Sequence, residues 1–255
     1  QIYSAGAEYC LSVPRVSDGN VVLTNMQKMS SPVIAEHAIA LLLSLTRRLP
    51  AFADAMENGD WERGPGDTAG MTTVYGKTML VLGLGGIGTE IARRGAALGM
   101  RVVATRNSSR SGPAFVDYVG LSHEMGTLAA EADVIVNALP LTDDTRGMLD
   151  AAFFSEALVR KPYFINVGRG ATVDTEALLN ALRDGHVAGA GLDVTDPEPL
   201  PSDHALWRMP NVIITPHVSS RGDERHRHRL LVLENIRRYL AGDKLLNEVR
   251  PERGY

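Results

Sequence analysis

The sequence predicts an α/β protein built on a doubly wound parallel sheet. Two patterns point there. From Thr78 onward, short apolar runs alternate with helical stretches, and the runs lack a polar alternation. Strands that alternate with helices imply a parallel sheet with helices on both faces, and unbroken apolar strands are those buried on both sides. The first run also ends in a glycine-rich turn, Gly83-Leu84-Gly85-Gly86-Ile87-Gly88, which opens a helical stretch.

In chain order, 21–24 (Val-Val-Leu-Thr) reads as a strand after the turn Ser17-Asp18-Gly19-Asn20. Ser30-Ser31-Pro32 begins a helix, with proline in its first turn and Glu36 near its positive end, which runs to about Arg48 and stops before Pro50. A second helix covers about 51–58 and precedes a loop with Trp61, Gly64, Pro65 and Gly66. The regular region predicts strands at 78–82, 101–105, 133–139, 163–167, 187–194 and 212–215, and a short one near 115–119. Helices are predicted at 87–98, 123–132, 148–158 and 175–183, with a long closing helix at about 224–240 before Gly242. There is no internal repeat or low-complexity tract.

Composition narrows the function classes. The chain has 255 residues, 44% hydrophobic and 22% charged, enough to bury a sizeable core. A net charge of −4 gives no electrostatic case for nucleic acid or an anionic membrane. The basic run Arg225-His226-Arg227-His228-Arg229 reads as a solvated helix face. The single cysteine, Cys10, excludes an internal disulfide, points to a reducing compartment and so to the cytoplasm, and has no evident activating partner. The apolar stretch 38–45, preceded by Glu36 and His37, is too short to span a bilayer, and no signal-peptide pattern opens the chain. The chain starts on Gln1-Ile2-Tyr3 with no initiator methionine or polar tail, and reads as the middle of a domain.

The glycine turn matches G-x-G-x-x-G in the strand-to-helix context that gives the pattern its meaning. Gly83 permits the tight turn, Gly85 lets the backbone approach a pyrophosphate, and Gly88 lets helix and strand pack closely. The helix start at Gly86, Ile87 and Gly88 offers N–H groups and a positive dipole end to an anion. Such Rossmann sites choose their cofactor at the end of the second strand. There the chain reads Thr105-Arg106-Asn107-Ser108-Ser109-Arg110, with no acid to bond a ribose diol and two arginines able to hold a 2′-phosphate. This predicts NADP(H), with NAD(H) use left open.

Ligands in open α/β sheets lie beyond the carboxyl ends of the strands. That edge collects Leu139 and Pro140 with Thr145 after one strand, Val167, Gly168 and Arg169 after the next, Asp193 and Glu198 after the third, and His217 after the last. Each residue is ordinary alone; their shared edge singles them out. A planar, permanently charged Arg169 suits a substrate carboxylate. His217 can exchange a proton with a ketone or hydroxyl oxygen, since imidazole titrates near neutrality, and Glu198 can orient the ring and favour its charged form. Asp193 is placed either to bond a nicotinamide amide or to cap the next turn. This chemistry fits interconversion of a 2-keto acid and a 2-hydroxy acid. No metal-ligand set is assigned.

The segments 165–170 (INVGRG), 189–194 (GAGLDV), Glu198-Pro199-Leu200 and Thr215-Pro216-His217, with Ser4-Ala5-Gly6 and Ala35-Glu36-His37-Ala38 before them, resemble the successive motifs of the D-2-hydroxyacid dehydrogenase family, in order and over essentially the whole chain. The resemblance implies Arg169, Glu198 and His217 as the catalytic residues. It also implies that backbone N–H groups near Ala5 and Gly6 hold the substrate carboxylate, and that His37 belongs to a structural helix. It implies a dinucleotide domain over 32–218, with 1–31 and 219–255 as parts of an incomplete flavodoxin-like substrate domain. It further implies a homodimer built on the nucleotide domains, with 31–61 forming much of the interface; from the residues alone that apolar helix could equally be buried within one subunit. Arg106 departs from the family's usual acidic ribose ligand, an arrangement similar to the NADP-using glyoxylate and hydroxypyruvate reductases. A non-enzymatic NAD(P)-sensing scaffold of the same fold is the alternative. A formate dehydrogenase ranks below both, because Gln is expected where Glu198 stands.

Overall fold

A computed structural model describes residues 1–3, 6–61, 70–155, 158–222 and 225–249. The predicted parallel sheet is present, with seven strands: β1 Thr78–Leu82, β2 Arg101–Thr105, β3 Tyr118–Gly120, β4 Val134–Asn137, β5 Tyr163–Asn166, β6 Gly189–Leu192 and β7 Val212–Ile214. Their order is β3-β2-β1-β4-β5-β6-β7, and every neighbouring pair is parallel. The order reverses between β1 and β4, and a crevice opens at that switch point beyond the strand ends.

Strand periodicity divides the core in two. Met79 and Val81 of β1, Val134 and Val136 of β4 and Ile165 of β5 face one layer. Leu80, Leu82, Ile135 and Phe164 face the other. Both sets are apolar because helices cover both faces. The first layer holds α3 (Ser31–Thr46) and α5 (Gly86–Ala97), which pack on each other. The short α1 (Glu8–Leu11), α2 (Pro14–Ser17) and the helix α4 (Leu49–Asn58) lie elsewhere in the first 58 residues. The second layer includes α6 (Met125–Ala130) and α7 (Thr175–Arg183). Helix α7 starts cleanly because Asp174 Oδ1 accepts the Ala177 N–H at 3.0 Å. The last helix, α8, spans Arg225–Ala241. Ala7, Leu23 and Val249 form a separate small core with Ile2, Cys10, Leu11 and Val16, so Cys10 serves there as a small apolar side chain.

Two sequence expectations fail, and a third fails at His228 while Arg229 of the same run is exposed as expected. Residues 21–24 form no strand: Thr24 makes a single bridge to Glu248, and Leu23 and Asn25 bond to the same 247–249 segment, too short a ladder for a sheet. No helix forms over the described part of 148–158. The backbone of Leu149 is instead drawn into a bridge beside Val173, donating to Thr172 and accepting from Asp174. Asp150 then turns the chain by accepting the Phe153 N–H at 3.0 Å on its side chain. His228 is not on a solvated face; it packs edge-on against Tyr3 and lies 3.4 Å from Ser30 Oγ. The side chains of 225–227, and Gly64, Pro65, Gly66 and Ala5, lie outside the described residues.

Candidate active site

The glycine turn shows why each of its glycines stands where it does. Gly83 has φ +91° and its α-carbon faces the Ala138 carbonyl. A Cβ on Gly88 would run into the Gly83 carbonyl oxygen, so α5 could not sit this close to β1. At Gly85 an added Cβ would meet nothing within 4 Å. That open space lies at the N-cap of α5, where the first N–H groups of a helix have no carbonyl a turn back. Room beside an exposed backbone, next to unpaired donors, fits a dinucleotide pyrophosphate. Thr105 does not face that space. It is buried, its carbonyl accepts the Leu84 N–H at 3.0 Å, and its hydroxyl lies 3.4 Å from the Gly83 nitrogen. Thr105 therefore shapes the turn from below.

The two arginines after β2 differ. Arg110 is tied by Nη2 to Glu124 Oε2 at 2.7 Å and by Nη1 to the Tyr118 hydroxyl at 2.7 Å. Arg110 foremost, with the Leu121 N–H and the Tyr118 hydroxyl, holds Glu124 at about 2. Arg106 donates to the Ser111 carbonyl at 3.0 Å and, among the described residues, has no carboxylate partner. Asn107 and Ser108 are exposed beside it. Both guanidiniums are charged, but among the described residues only that of Arg110 is engaged by a carboxylate.

A buried polar network, unseen in the sequence, sits under the next two loops. Asn137 and Asn166 are the last residues of β4 and β5, and both are buried with Thr172. Asn137 Nδ2 donates to Asn166 Oδ1 at 3.0 Å and to Thr172 Oγ1 at 2.8 Å. Asn137 Oδ1 accepts the Leu139 N–H, Asn166 Oδ1 accepts the Gly168 N–H, both at 3.1 Å, and Thr172 Oγ1 donates to the Arg169 carbonyl at 2.7 Å. The backbones of Leu139, Gly168 and Arg169 are thereby fixed together. Thr145 pins the Pro140 loop, donating to the Pro140 carbonyl at 2.7 Å and accepting the Thr142 N–H at 2.8 Å. Val167 and Gly168 are buried, and Gly168 lies against the Leu139 backbone. Arg169 is half-buried and donates to the Gly168 carbonyl at 2.9 Å. Gly170 has no room for a side chain because it lies on the Thr195 backbone, which joins the loop after β5 to the loop after β6.

Glu198 and His217 meet. His217 Nδ1 lies 2.7 Å from Glu198 Oε1, and both side chains are about half exposed, 44% each. The bond at Nδ1 leaves Nε2 as the nitrogen able to exchange a proton with a ligand. Arg169, Glu198 and His217 follow β5, β6 and β7 respectively, neighbours in the sheet. Asp193 stands beneath them and is 1% exposed. Its Oδ1 accepts Thr215 Oγ1 at 2.7 Å and the Val218 N–H at 2.9 Å, and its Oδ2 accepts the Ser219 N–H at 3.0 Å. Burial pushes this carboxyl up, but the Ser219 and Thr215 hydroxyls and the two N–H groups outweigh it and hold it below its ordinary value. The carboxylate caps the turn that carries His217, one of the two roles open to it. Gly6 is half-buried near the start of the chain.

Residues 39–219 match the family described as D-isomer specific 2-hydroxyacid dehydrogenase, NAD binding domain. The chain belongs to this family. It is accordingly an oxidoreductase, and its sheet is an NAD(P)-binding domain. Over 241 residues it is 34% identical to glyoxylate/hydroxypyruvate reductase B of Enterobacter sp. (strain 638), covering 94% of this chain and 74% of that protein. Among solved structures it resembles a D-isomer specific 2-hydroxyacid dehydrogenase of Xanthobacter autotrophicus Py2 in complex with NADPH and MES, with TM-score 0.81 and 35% identity over 99% of this chain and 77% of that one. It also resembles an NADPH-dependent glyoxylate/hydroxypyruvate reductase of Sinorhizobium meliloti in complex with NADP and sulfate, with TM-score 0.82 and 28% identity over 99% of this chain and 78% of that one. Among the described residues, no helix is long and apolar enough to cross a membrane.

Proposed function

We propose that this dehydrogenase reduces a small 2-keto acid, of the glyoxylate or hydroxypyruvate kind, to the D-2-hydroxy acid with NADPH. The observation that carries the reading is the His217–Glu198 pair at 2.7 Å on the sheet edge that also bears the open glycine turn.

A bound reduced nicotinamide supplies the hydride, which adds to the substrate's carbonyl carbon. His217 delivers the proton to the carbonyl oxygen from Nε2, while Glu198 at Nδ1 stabilises the imidazolium before transfer. Arg169 binds the substrate carboxylate with charge-assisted bonds, aided by backbone N–H groups at Ala5 and Gly6. In the oxidative direction, neutral His217 takes the hydroxyl proton. Gly83, Gly85, Gly86, Ile87 and Gly88 cradle the pyrophosphate, and Leu139, Pro140, Val167 and Gly168 line the nicotinamide side. Arg106, with Asn107 and Ser108, reads the 2′-phosphate. The bound NADPH of the Xanthobacter relative favours this cofactor.

Residues 32–218 form the dinucleotide domain, and 1–31 with 219–255 contribute to a substrate domain; the separate small core of Ala7, Leu23 and Val249 supports that division. The protein works in the cytoplasm as a homodimer. Exposed Leu49, Phe52, Met56 and Trp61 on and just after α4 supply the apolar surface that a second copy would cover.

The test is oxidation of NADPH and NADH by the whole protein against a panel of 2-keto acids, with His217→Ala and Arg106→Ser in parallel. Turnover that prefers NADPH, is lost in His217→Ala and shifts toward NADH in Arg106→Ser is the expected result. Turnover that prefers NADH overturns the cofactor assignment alone. Tight dinucleotide binding without turnover of any acid would favour a sensing scaffold.

A further inference from the structure

We infer that His37, on α3, is a positioning residue for His217, acting through Thr215 and Asp193. The inference rests on the reading of His217 as the proton-exchanging residue.

The backbone of His217 has φ +51°. L side chains enter that region only where surrounding bonds hold them. Asp193 supplies most of those bonds. Its carbonyl accepts the His217 N–H at 2.8 Å, and its carboxylate accepts the N–H groups of Val218 and Ser219, the next two residues. A carboxylate this deeply buried needs both its oxygens hydrogen-bonded. Among the described residues, the one basic side chain within 4 Å is His37, with Nε2 3.5 Å from Asp193 Oδ1.

His37 Nε2 also lies 2.9 Å from Thr215 Oγ1. The Thr215 hydroxyl spends its proton on Asp193 Oδ1, so toward His37 it can only accept. The geometry therefore fixes a proton on Nε2 and orders a chain: His37 Nε2–H to Thr215 Oγ1–H to Asp193 Oδ1. That chain bridges 178 residues and ties the turn carrying His217 to a helix that packs across β5, β6, β7 and α5. His37 is 23% exposed at its side chain and stands on the motif Ala35-Glu36-His37-Ala38, to which the catalytic reading assigns nothing. Its work is to keep the Thr215 hydroxyl and the Asp193 carboxylate oriented, and so to keep the turn in the conformation that presents the His217 ring to Glu198.

The experiment compares His37→Leu, His37→Gln and Thr215→Val in the whole protein. Glutamine can place an N–H donor near the position of Nε2; leucine cannot. We expect His37→Leu to lower kcat at least tenfold, with KM for NADPH within about twofold and the thermal midpoint close to wild type. His37→Gln should recover most of kcat. Adding Thr215→Val to His37→Leu should cost little more, because both cut one chain. Amide hydrogen exchange at Val218 and Ser219, read independently of turnover, should quicken at least tenfold in His37→Leu and much less in His37→Gln. Unchanged kcat and exchange in His37→Leu would overturn the inference while leaving the function standing if His217→Ala is inactive. Equal losses in leucine and glutamine variants, tracking a fall in thermal midpoint, would reduce His37 to a packing residue. Undiminished activity in His217→Ala would remove the functional reading and this inference together.

Discussion

Two turns at the carboxyl end of the sheet use the same unusual backbone conformation and reach it differently. The turn after β1 has Gly83 at φ +91°, and the turn after β7 has His217 at φ +51°. The first is solved locally: a side chain is removed, and the neighbouring Gly88 lets the helix close on the strand. The second carries a side chain, the imidazole to which we assign the proton exchange. Its support is therefore drawn, partly through Thr215 beside it, from Asp193 and His37 on other parts of the chain. A ligand held by backbone can be written into six consecutive residues. A side chain held against its own preference needs partners from elsewhere.

The largest effect that can sharpen this contrast comes from His217→Gly. Glycine suits the backbone of that turn, so the thermal midpoint should stay level or rise. The proton donor is gone, so kcat should fall by about 10²–10⁴. A variant that unfolds would mean the side chain, not Asp193, holds the turn. At the other turn, Gly85→Ala and Gly88→Ala should part company. Alanine at 88 collides with the Gly83 carbonyl and should destabilise by about 1–3 kcal/mol in urea melts. Alanine at 85 meets nothing in the protein, so stability should hold while the Kd for NADPH rises at least tenfold. Equal NADPH affinity in Gly85→Ala would mean that the cofactor does not approach the backbone there.

Asn137→Ala tests whether the middle of the edge follows the second pattern. It strips partners from Asn166 and Thr172 in a buried setting, a loss of about 1–3 kcal/mol. Because the same network fixes Arg169, KM for the 2-keto acid should rise more than KM for NADPH. The smallest effect is acidic. Glu124 is held at about 2 against an ordinary 4.5. A depressed carboxyl adds stability above its unfolded value, and that contribution fades as pH falls from about 4.5 toward 2. Glu124→Gln should flatten the decline of stability in this window only slightly, since the group is exposed and screened.

The same division explains what the sequence displayed. Strands Thr78–Leu82 and Arg101–Thr105 and helix Thr175–Arg183 match their expected bounds, because each is a strong local pattern ended by polar or glycine punctuation. The glycine turn was legible for the same reason; Arg169 and His217 were singled out because each comes three residues after a strand, and Glu198 because it lies in the loop after β6. Other features were hidden because their causes are distant. Asn137 meets partners 29 and 35 residues away, so its importance cannot be read from its neighbours. The apolar stretch 148–158 suggested a helix, yet the strand-like pairing of Leu149 with Val173 captures its backbone. That Arg110 is engaged by a carboxylate could not be read locally, because Glu124 lies 14 residues beyond it. His37 pointed at nothing until Thr215 arrived beside it.

The strand order also sets where the molecule opens first. β1, β2, β4, β5 and β6 are each hydrogen-bonded on both sides, whereas β3 and β7 are three-residue edge strands, and the residues of β7 are only half-buried. Edge elements with few buried contacts unfold locally at a fraction of the global free energy. The glycine turn rides on an interior strand and His217 on the rim. The nucleotide cradle we propose therefore belongs to the slower-exchanging part of the sheet, and the residue to which we assign the proton follows one of the two edge strands, where its turn depends on Asp193 to stay closed.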